Sequence, residues 1–250
     1  MFARGFTLIE MVITMIVGSL LVLGITGFIE LGSKGFAQGV DRQRIQTQAR
    51  FAIEKLTREA RHAVPNIFVS DGNCLSFFPI IESGFYAVSG SDINFIVGDT
   101  TASVSRLRDQ QLVINPTQLL RPGEDLNSLD NSFPLSSIEE VSDIAISGAT
   151  FVIPAQATNL LGGSVANRHY ITANERRVSY CITAQRITRA EGLSGLALPL
   201  TDAADVLVDG MISYTPASVQ HTGVVHIDLT FSQNGESTHF RQDVQVLNVP

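Results

Sequence analysis

Gly5-Phe6-Thr7-Leu8-Ile9-Glu10 opens the stretch that decides the fold, because residues 11–29 (MVITMIVGSLLVLGITGFI) follow it without one charge or proline. At the rise of an α-helix this run reaches about 28 Å, close to the hydrocarbon thickness of a bilayer. The sequence therefore predicts a membrane-length helix over residues 6–33, preceded by a five-residue leader, 1–5, whose one cation is Arg4.

An ordinary secretory signal ends its apolar region in a small-residue cleavage site and leaves a soluble product. Here the small residue, Gly5, precedes the apolar run. Cutting after Gly5 would remove the leader and keep the helix on the mature N-terminus, beginning at Phe6. Glu10 adds a second constraint, since a carboxylate this far into an apolar segment costs several kcal/mol without a partner. A free amine on Phe6, of the same or a neighbouring chain, would supply one.

Arg4-Gly5-Phe6-Thr7-Leu8-Ile9-Glu10 resembles the class III leader of type IV pilins and type II secretion pseudopilins. The resemblance implies cleavage after Gly5 by a membrane prepilin peptidase, N-methylation of Phe6 by the same enzyme, and an assembly role for Glu10. It also implies a long N-terminal helix, half in the membrane and half packed on an exported domain.

The helical pattern continues past the apolar run. Ile45, Ala49, Ala52, Leu56, Ala60 and Ala63 recur at spacings of three and four, one stripe of an amphipathic helix over residues 34–65 that is expected to stop at Pro65. Arg50, Glu54 and Arg58 recur on another face, and Lys55 with Glu59 forms an opposite-charge pair.

From Asn66 the helical period disappears, and residues 66–250 read as one β-rich exported domain. Strands are expected at 74–81, 93–97, 111–114, 145–153, 170–172, 178–183 and 211–214. A final hairpin, 224–231 with 239–246, turns near Asn234-Gly235. Residues 121–143, rich in Pro, Gly, Asp, Asn and Ser, read as a long surface loop. The predicted class is α+β, a long N-terminal helix packed on an antiparallel β-rich domain.

Cys74 and Cys181 are too far apart for a CxxC motif and suit either one disulfide in an oxidising compartment or two buried thiols. Lys34, Arg42 and Arg44 follow the span while only Arg4 precedes it, so the positive-inside count does not favour an exported C-terminus. The cysteine pair and the leader resemblance place the domain in the periplasm nonetheless, tethered to the inner membrane by a single pass.

Further blocks narrow the resemblance. Residues 58–66 (REARHAVPN), 74–80 (CLSFFPI), 178–181 (VSYC) and 244–250 (VQVLNVP) resemble the MshO group of minor pilins of the MSHA pilus. The wider group holds pseudopilin J and minor pilin W. These imply a component of few copies that initiates assembly or belongs to the tip complex. Its implied partners are the prepilin peptidase and methylase, other minor and major pilins, the inner-membrane assembly platform, and lipid before assembly. Because the extreme tip subunit has no earlier amine to neutralise, the presence of Glu10 implies a place below the tip.

Catalytic patterns are absent. His62, His169, His221, His226 and His239 form no HExxH or other compact ligand spacing, although His226 and His239 are expected to face each other across the last hairpin. There is no GxSxG elbow, and Gly192-Leu193-Ser194-Gly195 reads as a turn. Glu124, Asp125, Asn127, Asp130 and Asn131 offer oxygen ligands for calcium but lack EF-hand spacing, and a solvated loop accounts for them. No enzyme, cofactor or metal is expected. With 17 basic and 24 acidic residues, the net charge of -7 argues against a nucleic-acid partner. Three functional readings stand: a type IV minor pilin, a type II secretion pseudopilin, and a tip adhesin or ligand-binding module.

Overall fold

The computed structural model describes residues 7–141, 149–164, 166–202, 206–218 and 221–246. One helix, α1 (Leu8–Arg61), runs 54 residues without a break through the glycines at 18, 24, 27, 32, 35 and 39. Its ladder ends at Arg61 rather than at Pro65, which lies inside the first strand. Proline excludes the helical region for the residue before it, so Val64 is already extended.

The strands follow as β1 (Ala63–Ser70), β2 (Cys74–Pro79), β3 (Glu82–Ser89), β4 (Asp92–Val97) and β5 (Gln111–Ile114). Next come β6 (Ser132–Pro134), β7 (Glu139–Val141), β8 (Thr150–Ile153), β9 (Arg168–Thr172) and β10 (Val178–Thr183). The last are β11 (Arg186–Glu191), β12 (Leu198–Pro199), β13 (Leu207–Thr215), β14 (Val224–Gln233) and β15 (Glu236–Gln245). All named pairings are antiparallel and form three sheets, ordered β1-β2-β10-β11-β12, β13-β14-β15 and β6-β5-β9-β3-β4-β8-β7.

The layers follow from which faces are apolar. Of the predicted stripe, Ile45, Ala49, Ala52, Leu56 and Ala60 are at most 2% exposed and pack on the first two sheets, whereas Ala63 is not helical and opens β1. Small alanines let the helix approach β14 and β15 closely, where Val225, Ile227, Leu229, Phe231 and Val244 meet it. The β1–β2 end of the five-stranded sheet is buried on both faces, because Val64, Ile67, Val69 and Phe78 point away from α1 into a second cluster with Val113 and Tyr170 of the seven-stranded sheet. This is why β1 reads as nearly continuous apolar text. The far face of the seven-stranded sheet carries a third cluster, centred on Phe95, Phe151, Leu107 and Ile171.

The Asn234-Gly235 turn forms as expected, both residues at positive φ, as a two-residue hairpin of primed type requires. Residues 121–143 depart from the surface-loop reading. Leu126, Leu129, Phe133, Leu135 and Ile138 are all buried, and β6, β7 and two short 3-10 turns lie in the segment. Its apolar residues are irregularly spaced, so no periodicity announced them. The expected strand at 145–153 is seen from Thr150; residues 145–148 lie outside the described residues, as do 247–250 of the last expected block. His226 and His239 do not face each other, since the register sets His226 against Asp243 and His239 against Thr230.

Cys74 and Cys181 lie directly opposite each other on β2 and β10, and their sulfurs are bonded, with the Cα atoms 4.1 Å apart. The disulfide joins segments 107 residues apart and staples the sheet on which α1 rests.

Candidate functional site

The candidate site is the N-terminal half of α1. Gly5 and Phe6 lie outside the described residues; Glu10 is in the first turn. Thr7 caps the helix, its hydroxyl accepting from the Glu10 backbone N–H at 3.3 Å. Thr7-Leu8-Ile9-Glu10 therefore has the T-x-x-E spacing of a capping box, a signal the sequence reading passed over.

Beyond this cap no part of the most apolar window is covered by the rest of the chain. Leu8 is 84% exposed, Phe28 79% and Phe36 76%. Burying a side chain of this kind is worth about 1.5–3 kcal/mol, so the whole face represents tens of kcal/mol that only lipid or packed helices recover. The polar groups in the run are adapted to such surroundings. Thr14, Ser19 and Thr26 each donate their hydroxyl to a carbonyl three or four residues back, at 2.7–2.9 Å, which leaves no hydroxyl proton seeking water. Glu30 is neutralised by Lys34 at 2.6 Å where the apolar run ends.

Glu10 differs from all of these. Among the described residues no group bonds its carboxylate, and no other charge lies between Leu8 and Ile29. An unpaired carboxylate in an apolar helix costs several kcal/mol until it gains a partner or a proton.

The other half of α1 is locked down. Glu59 accepts from the Tyr180 hydroxyl at 2.7 Å and from Arg189 Nε at 2.9 Å, with Lys55 at 3.5 Å. Burial opposes ionisation of Glu59, yet the Arg189 and Tyr180 hydrogen bonds and the Arg189 and Lys55 charges outweigh it and hold its pKa below the ordinary value. Burial and the Glu59 carboxylate push the Tyr180 phenol well above its usual range. Further along, Arg42 pairs with Glu236 at 3.2 Å, Asn234 donates to Asp41 at 3.0 Å, and the Asp202 backbone donates to Gln48 at 3.0 Å. These ties and the Ile45 to Ala60 stripe fix the direction in which the uncovered half projects.

Residues 1–26 match the family model described as the prokaryotic N-terminal methylation motif. The chain carries a prepilin-type leader. Together with the membrane-length helix and the β-rich part behind it, this supports a type IV pilin-like protein, pilin or pseudopilin, of the kind that is membrane-anchored, processed by prepilin peptidase and assembled with other pilins. The match ends inside α1 and does not reach the β-rich part. No curated protein and no solved structure matches the chain.

The remaining sequence candidates are in separate places. Glu124 accepts from the Arg121 backbone at 2.8 Å, Asp125 caps the turn at Leu126–Ser128 through Asn127, and the Asp130 backbone donates to Gln118 at 3.0 Å. Glu124 and Asp125 thus serve local turns, Asn127 and Asn131 tie the segment to Gln111 and Leu161, and among the described residues no three His, Cys, Asp or Glu side chains are grouped to hold a metal ion. His226 pairs with Asp243 and His239 with Asp228, each at 2.7 Å, on the solvent face of β14 and β15.

Proposed function

We propose that this chain is a minor pilin of an MSHA-type type IV pilus, cut after Gly5, N-methylated on Phe6, and acting in assembly initiation or the tip complex. The observation that carries the reading is the unpaired Glu10 carboxylate in a lipid-length helix directly behind a prepilin-type leader. In this reading the Glu10 carboxylate takes the methylated Phe6 amine of the same or an adjacent subunit, which removes its desolvation penalty. Residues 66–250 form one body in the periplasm, joined to the inner membrane by a single pass until extraction into the filament. The partners are the prepilin peptidase, other minor and major pilins and the assembly platform, with lipid around the helix before assembly. The same leader serves pseudopilins of type II secretion, which is the alternative reading.

Intact mass of the chain recovered from membranes, with and without active prepilin peptidase, tests the processing. Loss of residues 1–5 plus one methyl group is expected; an unprocessed chain in both backgrounds overturns it. Glu10→Gln should leave processing unchanged while pili are lost, and normal piliation would remove the assembly role. Deletion of the gene separates the two systems, since a pilus component stops piliation and a pseudopilin stops secretion.

A further inference from the structure

The seven-stranded sheet turns one face toward β1 at its β5 and β9 end but leaves that face open at β3 and β4. On this open part, register joins residues distant in sequence. Arg168 of β9 lies opposite Phe85 of β3, and Phe85 opposite Ile96 of β4. Two residues along, on the same face, Tyr170 lies opposite Ser83, and Gly98 donates its N–H to the Ser83 carbonyl at 3.0 Å. The first row is bulky, whereas Ser83 and Gly98 in the second are small. The difference leaves a depression of about 390 Å³ walled by Phe85, Ile96 and Tyr170.

Two features separate this depression from an ordinary gap between side chains. Phe85 and Ile96 are 52% and 40% exposed, which presents an aromatic ring and an aliphatic edge side by side to solvent. The Arg168 guanidinium stands 5.9 Å from the Phe85 ring centroid, and among the described residues no carboxylate pairs with it. A guanidinium backed by an aromatic ring and left without a counter-ion is arranged to receive a planar carboxylate through paired hydrogen bonds.

We propose that this depression binds a carboxylated sugar residue. The carboxylate sits on Arg168, the C–H face of the ring rests on Phe85 and Ile96, and the Ser83 hydroxyl meets a ring hydroxyl. An open depression of this size holds a single ring at the end of a glycan and suits millimolar recognition repeated over a surface better than capture of a buried cofactor. The site goes beyond the filament reading and does not require it.

Saturation-transfer NMR on the full chain in lipid nanodiscs tests this, with sodium glucuronate as the probe and glucose and benzoate in parallel. Transfer to the glucuronate ring protons is expected, with glucose roughly tenfold weaker, the scale of one charge-assisted contact. Arg168→Gln should weaken glucuronate to the level of glucose, and Ser83→Leu, which fills the depression without touching Arg168, should abolish both signals. All these side chains border solvent, and thermal melts of each variant verify that it is folded. Absence of transfer, equal response to glucose, a response to benzoate alone, or binding that survives both substitutions overturns the proposal.

Discussion

Lowering the pH from 7 to 5 is expected to destabilise the β-rich part by about 2 kcal/mol through one side chain, His169. Its imidazole is fully buried, edge-on to Phe95 with ring centroids 5.2 Å apart, and neither ring nitrogen has a hydrogen-bond partner among the described residues. Burial alone pushes its pKa down to about 3 from 6.5. In the unfolded chain the same histidine takes a proton as pH falls through 6.5, while the native state takes none until pH nears 3. The unfolded state therefore binds more protons across that window, so stability rises with pH between about 3 and 6.5 and falls on acidification. At 1.36 kcal/mol per unit, the interval from 6.5 to 5 accounts for about 2 kcal/mol, which moves the melting temperature of a chain this long by roughly 4–8 °C. Thermal unfolding of the full chain in detergent, followed by near-ultraviolet circular dichroism of its tyrosines, reads the effect at both pH values. His169→Leu keeps an apolar ring-sized filling, removes two unsatisfied polar atoms, and should flatten the difference between pH 7 and 5 without loss of stability at pH 7. Identical pH slopes for the two proteins would refute the reasoning.

Three further outcomes rest on other parts of the structure. Cys74→Ser with Cys181→Ser should lower stability by up to about 4–5 kcal/mol in urea unfolding, the scale of closing a loop of roughly a hundred residues; a midpoint unchanged after replacement would show that the sheet does not depend on the staple. Gly84→Ala should cost about 2 kcal/mol or more, because a Cβ there would lie 1.9 Å from the Ile96 carbonyl oxygen and 3.0 Å from the His169 ring at Cε1, so β3 must shift away from the β4 backbone; the same urea midpoint reads it. Arg189→Ala should cost about 1–2 kcal/mol at pH 7 by removing the charged hydrogen bond to Glu59 and leaving it only Tyr180 and Lys55. Since the Glu59 pKa is lowered on folding, that stabilisation is present above its ordinary value of 4.5 and lost as pH falls below it, so wild type and variant should converge at acid pH.

Much of the architecture was open to reading because it is written locally. A membrane-length run needs only consecutive apolar residues, the docked stripe from Ile45 to Ala60 needs only a helical period, and the last hairpin needs Asn234-Gly235 between alternating strands. Gly5, Phe6 and Glu10 were equally visible as candidates, because a leader is presented to its peptidase as a linear segment. β3 escaped, since its text ESGFYAVS carries a glycine and two serines and alternates only weakly. The buried residues of 121–143 escaped for lack of any period.

What no local pattern contains is the pairing of distant strands. β2 meets β10, and β9 lies between β5 and β3, only because three layers must each bury an apolar face. That pairing closes the disulfide, leaves both ring nitrogens of His169 without a hydrogen-bond partner among the described residues, ties Glu59 to Tyr180 and Arg189, and sets Arg168 over Phe85. The sequence by itself determined a leader and a helix for the membrane, because both act as continuous segments. Only the tertiary structure decided where that helix is anchored and what stands on the open sheet face, because those depend on side chains that meet across gaps of up to 194 residues.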